Sequence, residues 1–150
     1  MATIERHLAA PRDAVWAILT DASSYSDWFL NLADIRNISA DWPAPGSGFD
    51  HKFRWGPIRL PGHTRVLEAQ PPGHLTVRMK QGLLALTTIE LLLQHAGDST
   101  DLQMRHTRDA IGVPLLNPLL DQVLTANYVT SLSRLERLAQ RRASRSRSGH

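Results

Sequence analysis

Two histidines and one arginine lie in segments where apolar and polar residues alternate, and each falls on the apolar side of its segment. His51 has the same phase as Phe53. His106 and Arg108 have the same phase as Met104. A histidine in a cavity can move a proton near neutral pH, and a guanidinium can hold a carboxylate or enolate oxygen through two hydrogen bonds. The catalytic candidates are therefore His51, His106 and Arg108. Each also has an ordinary structural explanation: a histidine can be buried in the core with its hydrogen bonds made, and an arginine at the end of a strand can extend its guanidinium into water.

Polar residues also interrupt the apolar stripe of the longest helical segment, residues 117–142. Leucines, a valine and a tyrosine recur there at helical spacing, and Asn127 and Ser131 fall inside the same stripe. A buried amide or hydroxyl must find a hydrogen-bond partner. A helix that covers a ligand cavity can use such groups as anchors for a polar ligand atom. Hydrogen bonds to other groups within an ordinary core would explain the two residues equally well.

Aromatic, aliphatic and thioether residues complete the candidate ligand site. The predicted ligand-contacting residues are Phe53, Trp55, Met79, Met104, His106, Leu120, Leu124, Asn127, Tyr128 and Ser131. Such side chains form adaptable cavity walls, and they also fill ordinary cores. The chain has no cysteine and no His-Glu-x-x-His spacing, so we expect no metal site and no cofactor.

The helices and strands that position these residues can be predicted from the spacing of apolar residues and from residues typical of turns. A strand over residues 3–9 precedes a helix that begins at Pro11 and a second short helix that Asp21 can cap. Further strands then follow one another through short turns, over residues 34–41, 49–55, 59–69, 75–80, 83–94 and 102–108. Short turns favour an antiparallel sheet, and the helix over 117–142 is the only predicted element long enough to cover one face.

This order of elements resembles the helix-grip fold of the SRPBCC superfamily, over residues 2–142. The resemblance is carried by the opening strand with residues 11–21, by Tyr25-Ser-Asp-Trp28, Gly46-Ser-Gly48 and residues 66–72, and by the long final helix. It is closest to the bacterial polyketide cyclase/dehydrase-like proteins. The resemblance implies an α+β fold in which a curved antiparallel β-sheet wraps around a long C-terminal α-helix, with two short helices after the first strand. A cavity between sheet and helix is then expected.

The function expected from this resemblance is the binding, and by extension the transport, of a small hydrophobic ligand such as a lipid, isoprenoid or polyketide. One alternative is an enzyme of the polyketide cyclase, aromatase or dehydratase type that uses a histidine and an arginine in the cavity. Another is a protein-interaction module. A dry cavity with isolated polar groups favours carriage, whereas a histidine and an arginine that reach one point favour catalysis.

Length and charge add further expectations. The chain has 150 residues and a net charge of +3 at pH 7, which suits a single domain over residues 1–142. Six arginines against one glutamate after residue 133 make the C-terminal part basic, and residues 143–150 are predicted to be a disordered basic tail. No nucleic-acid-binding motif accompanies this tail, so no nucleic acid partner is expected.

The sequence also carries no basic leader followed by an apolar block, and its longest apolar-rich run, residues 83–93, is too short to span a bilayer. We therefore expect a cytoplasmic protein without membrane insertion, present as a monomer or homodimer.

Overall fold

A curved sheet of seven antiparallel strands is the largest element of the computed structural model, which describes residues 2–81, 85–109 and 117–148. The strands are β1 (Ala2–Leu8), β2 (Leu32–Arg36), β3 (Gly48–Trp55), β4 (Ile58–Gln70), β5 (His74–Gln81), β6 (Ala85–Ala96) and β7 (Ser99–Asp109). Their order across the sheet is β1-β7-β6-β5-β4-β3-β2. Strands β2 to β7 therefore form a meander, and β1 closes its far edge by pairing with β7.

The helices all pack on one face of the sheet, which we call the inner face. They are α1 (Arg12–Leu19), a 3-10 turn (Ala22–Ser24), α2 (Tyr25–Trp28) and the long α3 (Asn117–Ser148). In α1, Pro11 occupies the N-cap, and Val15, Ile18 and Leu19 are buried against the rest of the core. The predicted α+β class and helix-grip arrangement are confirmed.

Helix α3 buries a stripe that repeats every three or four residues, as the sequence predicted. Tyr128, Leu132, Leu135 and Ala139 are buried in this stripe together with Ser131. Within the described part of the chain, no helix combines the length and the apolar character that a bilayer-spanning segment needs.

The start of the meander differs from the prediction of a strand over residues 34–41. Strand β2 begins earlier, at Leu32, and ends at Arg36. Its neighbours Asn31 and Asn37, and Asp34 within it, have φ values of 69°, 53° and 53°. Asparagine and aspartate tolerate this left-handed region better than other residues with a side chain. The left-handed residues break the alternation that the sequence pattern assumed, and the strand is short and irregular as a result.

The C-terminal helix also ends later than predicted. It continues to Ser148, so residues 143–148 are helical where the sequence predicted a disordered tail. Alanine and arginine are strong helix formers, and arginines in the last turns interact favourably with the negative end of the helix dipole. Residues 82–84 and 110–116, which include the predicted start of the strand over 83–94, lie outside the described residues.

Candidate functional site

Four polar side chains are buried at one end of the mostly apolar inner face. They are His51 on β3, Thr64 on β4, Thr87 on β6 and His106 on β7, with exposed fractions of 2%, 0%, 3% and 7%. We call these four residues the polar end. Strand alternation explains their orientation, because each has the same phase as buried apolar residues of its own strand.

The strand register places Thr64 and Thr87 in one row of the sheet with Arg108. Thr64 pairs with Met79, Met79 with Thr87, and Thr87 with Arg108, which forms one row across four strands. Neighbouring strands are about 4.8 Å apart, so each step along this row is short. Arg108 is partly exposed and lies two residues beyond His106 on the same face of β7. The inner face therefore brings a histidine and an arginine together at the end of β7.

Hydrogen bonding and packing hold the two histidines differently. Nδ1 of His51 lies 3.4 Å from Oγ1 of Thr64, within hydrogen-bond distance. The ring of His106 packs edge-on against the ring of Tyr128 in α3, with centroids 4.7 Å apart. Both rings have defined positions on the inner face, and α3 reaches β7 at His106.

A chain of aromatic rings connects His106 to His51 through the helices. The contacts run His106–Tyr128, Tyr128–Phe29, Phe29–Trp28, Trp28–Tyr25, Tyr25–Phe49 and Phe49–His51, with centroid separations of 4.7, 6.0, 5.5, 4.9, 5.4 and 5.9 Å. Tilted and edge-on pairs of this kind are favourable geometries for aromatic side chains. The two histidines thus stand at the ends of a continuous aromatic wall.

Tyr25 belongs to this wall and has no freedom to act as an acid or base. Its hydroxyl donates a hydrogen bond to the carbonyl oxygen of Leu19 at 2.8 Å. Complete burial, with a smaller effect from Asp21, raises the pKa of Tyr25 far above its ordinary value. The phenol therefore stays neutral and fastens α2 to α1.

The predicted ligand-contacting residues fall into three groups. Phe53, Met79, Met104, His106 and Tyr128 are buried and belong to the inner face or to the helix opposite it. Asn127 is partly exposed. The side chains of Trp55, Leu120 and Leu124 lie outside the described residues.

Ser131 is buried and has internal partners. Its Oγ accepts a hydrogen bond from the backbone N–H of Leu30 and donates one to the carbonyl oxygen of Asn127, both at 2.8 Å. The hydroxyl thus connects α3 to the segment that follows α2. These hydrogen bonds explain why a hydroxyl can be buried at Ser131 without a ligand. A ligand contact at Ser131 stays a prediction.

Thr64 and Thr87 were not among the predicted site residues. The available signal was their phase, because Thr64 shares a buried face with Val66 and Thr87 shares one with Ile89. Threonine is common in strands, so its presence in an apolar phase does not by itself indicate a site.

The described residues include no group of three histidine, aspartate or glutamate side chains placed to hold a metal ion. His51 and His106 themselves lie on strands that β4, β5 and β6 separate. Open grooves in the described surface lie away from the polar end. One of about 700 Å³ is lined by Asp27 and the C-terminal half of α3, and one of about 690 Å³ by residues of β1, β6 and β7.

Several solved structures share the fold of this protein over nearly the whole chain. The Zhui aromatase/cyclase from Streptomyces sp. R1128 superposes with a TM-score of 0.78 at 19% identity, covering 95% of this chain and 94% of that chain. A protein from Nitrosomonas europaea gives a TM-score of 0.73 at 20% identity, with 94% of both chains covered. At these identities the likeness establishes the fold.

A di-domain aromatase/cyclase from the steffimycin biosynthetic pathway is also similar, with a TM-score of 0.72 and 19% identity over 95% of this chain and 52% of that one. No curated protein sequence matches this chain. Residues 2–140 match the family described as polyketide cyclase / dehydrase and lipid transport. The predicted superfamily is confirmed, and the chain belongs to this polyketide cyclase/dehydrase and lipid transport family.

Proposed function

We propose that the protein binds a small hydrophobic molecule against the inner face of its sheet and orients an oxygen atom of that molecule at the polar end. The observation that carries this proposal is the burial of His51, Thr64, Thr87 and His106 at one end of a mostly apolar surface. At the other end of that surface, the buried hydroxyl of Thr100 donates a hydrogen bond to the carbonyl oxygen of Ala10. Ligand sites of this type combine a mostly apolar lining with a few polar groups that fix orientation. Membership of a family that includes lipid transport supports the same proposal.

Native mass spectrometry of the purified protein tests the proposal directly. We expect a co-purified apolar molecule, or binding of members of a broad library of lipids, isoprenoids and polyketide-like compounds. A bound ligand also raises the unfolding temperature, because it binds only the folded state. Ligand-free protein that binds no member of the library contradicts the proposal.

Substitution of His106 then tests the polar end. His106→Phe keeps a ring beside Tyr128 and removes the polar ring atoms. We expect about tenfold weaker binding of an oxygenated ligand, which corresponds to the loss of one hydrogen bond. The matched control is His63→Phe, since His63 lies on the outer face of β4 and its side chain is 49% exposed. Equal affinities of both variants and the wild type would remove His106 from the site.

Catalysis of the cyclase, aromatase or dehydratase type is the second candidate. The observation that favours it is the placement of His106 and Arg108 on the same face of β7, two residues apart. A histidine can move the proton while a guanidinium stabilises the developing oxyanion. Arg108→Gln should then abolish turnover and leave measurable binding. Recovery of every bound polyketide-like ligand unchanged after prolonged incubation would restrict the protein to carriage.

A further inference from the structure

The outer face of the sheet carries like charges in directly opposed positions. Arg54 pairs in register with Arg59, and Arg65 with Arg78. All four side chains are exposed. Opposed side chains in an antiparallel pair lie about 5 Å apart at Cβ, so two positive charges in these positions destabilise the sheet. Charge repulsion of this kind is relieved when an anionic partner covers the surface.

Lys52 and Lys80 add two more positive charges to this part of the outer face. Both are exposed on the outer face, and together with Arg54, Arg59, Arg65 and Arg78 they form what we call the basic face. No carboxylate among the described residues forms an ion pair with Arg65 or Arg78.

Four carboxylates lie on or beside the outer face near these cations, and each has a partner. Glu68 and Glu90 lie in the row next to Arg65 and Arg78 and contact His74 at 3.9 Å and 3.2 Å. Asp34 pairs with Arg59 at 3.4 Å, and Asp50 bonds to His63 and Asn37, each at 2.8 Å. The four acids neutralise only part of the charge, because the basic face has six cationic side chains. The basic face therefore keeps a net positive potential toward solvent.

An exposed apolar residue stands at the tip of the same hairpin. Gly56 and Pro57 join β3 to β4, and Ile58 is 54% exposed, the largest value among the large hydrophobic residues described as exposed. Ile58 pairs in register with Trp55, so it has the phase of the inner face and meets the flanking arginines only at the tip. Arg54 and Arg59 flank this tip on both sides. Cationic side chains around an exposed apolar one suit the headgroup region of an anionic bilayer. A nucleic acid partner would use the charges and leave the apolar tip without a role.

We propose that the basic face and the β3–β4 hairpin tip dock on the surface of a bilayer that contains anionic phospholipid. This contact is peripheral and needs no spanning segment. The tip lies at the end of the sheet where β3, β5 and β7 finish, which is also the end that holds His51 and His106. Docking through the outer face leaves the sheet between the lipid and the inner face, and it brings the hairpin end of the sheet close to the lipid. The proposal stands on the charge pattern and the hairpin, independently of whether the inner face binds a ligand.

Vesicle flotation with the full chain tests this docking. We expect binding to phosphatidylcholine vesicles that contain phosphatidylserine, weak binding to phosphatidylcholine alone, and release as salt is raised. Each arginine near such a surface contributes about fivefold to affinity, so the double variant Arg65→Gln/Arg78→Gln should bind about 30-fold more weakly. Removal of an opposed like-charge pair should leave its unfolding temperature equal or higher, which separates lost docking from misfolding.

A matched control carries the same change of charge elsewhere. Arg137→Gln/Arg141→Gln alters two exposed arginines of α3 and should bind like the wild type. Ile58→Ser keeps the charge and should bind more weakly than the wild type. Equal loss in both double variants, or equal binding to neutral and anionic vesicles, would overturn the proposal. Binding of duplex RNA together with failure to bind anionic vesicles would overturn it in favour of a nucleic acid partner.

Discussion

Ser131 shows how much a single buried hydroxyl can contribute to this fold. It satisfies the N–H of Leu30 and is fully buried. Ser131→Ala should lower the free energy of unfolding by about 1–3 kcal/mol, because a buried N–H then lacks its acceptor. Urea unfolding measures the change, and Ser26→Ala, at an exposed hydroxyl that bonds only to Ser23, is the control. An unchanged midpoint for Ser131→Ala would mean that another acceptor replaces the hydroxyl.

The same residue marks the limit of sequence-based prediction at this scale. The helical period placed Ser131 and Tyr128 correctly on the buried side of α3. Leu30, the donor to Ser131, is 101 residues away in sequence, and no local pattern encodes that contact. His51 and His106 were likewise assigned to the correct face, whereas their separation by three strands depends on the order of the whole sheet.

Asp21 gives stability a pH dependence that can be assigned to one carboxylate. A hydrogen bond from Ser23, and after it the contact with Arg142, holds the pKa of Asp21 below its ordinary value of 3.8. A lowered pKa in the folded state means that this stabilisation is present above pH 3.8 and is lost as pH falls through the lower, folded-state pKa. Asp21→Asn should therefore be less stable than the wild type at neutral pH, and the difference should shrink in acid.

Urea unfolding of the wild type and Asp21→Asn, at about pH 7 and about pH 3, measures this difference. Because the Asp21 side chain is 40% exposed, solvent screens the interaction and the effect should be modest. A constant gap between the two proteins across this range would assign the effect to packing instead of charge.

At the scale of elements, Glu136 joins α3 to the N-terminal part of the chain. Its carboxylate accepts a hydrogen bond from the N–H of Ala9 at 2.8 Å and lies 3.9 Å from the guanidinium of Arg6. Glu136→Ala should lower the free energy of unfolding by about 1 kcal/mol, mostly through the lost hydrogen bond. Glu136→Gln keeps an acceptor for Ala9 and should recover most of that loss in a denaturant titration. Equal losses in both variants would assign the effect to the ion pair with Arg6.

The sequence predicted most elements because their periods are clean. Turn residues such as Gly97, which has a φ of 65°, separate strands whose alternation is regular. Strand β2 was misplaced because Asp34 and Asn37 adopt left-handed conformations that alternation cannot express. The end of α3 was misplaced because the serine and arginine composition of residues 143–148 suits a disordered tail as well as a helix.

At the scale of the whole molecule, the strand order sets a gradient of local stability. Strand β6 pairs along its length with both β5 and β7, whereas β2 pairs only with β3 through an irregular register. Native-state amide hydrogen exchange should therefore be slowest in β6 and fastest in β2. Exchange in β6 as fast as that in β2 would show that the sheet opens as one unit.

Two parts of the chain that are far apart in sequence depend on each other. Among the strands that the structure describes, β1 pairs with β7 alone, and Ala9 in the segment after β1 is bonded to Glu136 and Gln140 of α3. The residues of β1 therefore have no place to pair until Thr100–His106 of β7 are present and folded. Without β7, the edges of both β1 and β6 lose their partner, and unpaired strand edges favour association with other chains.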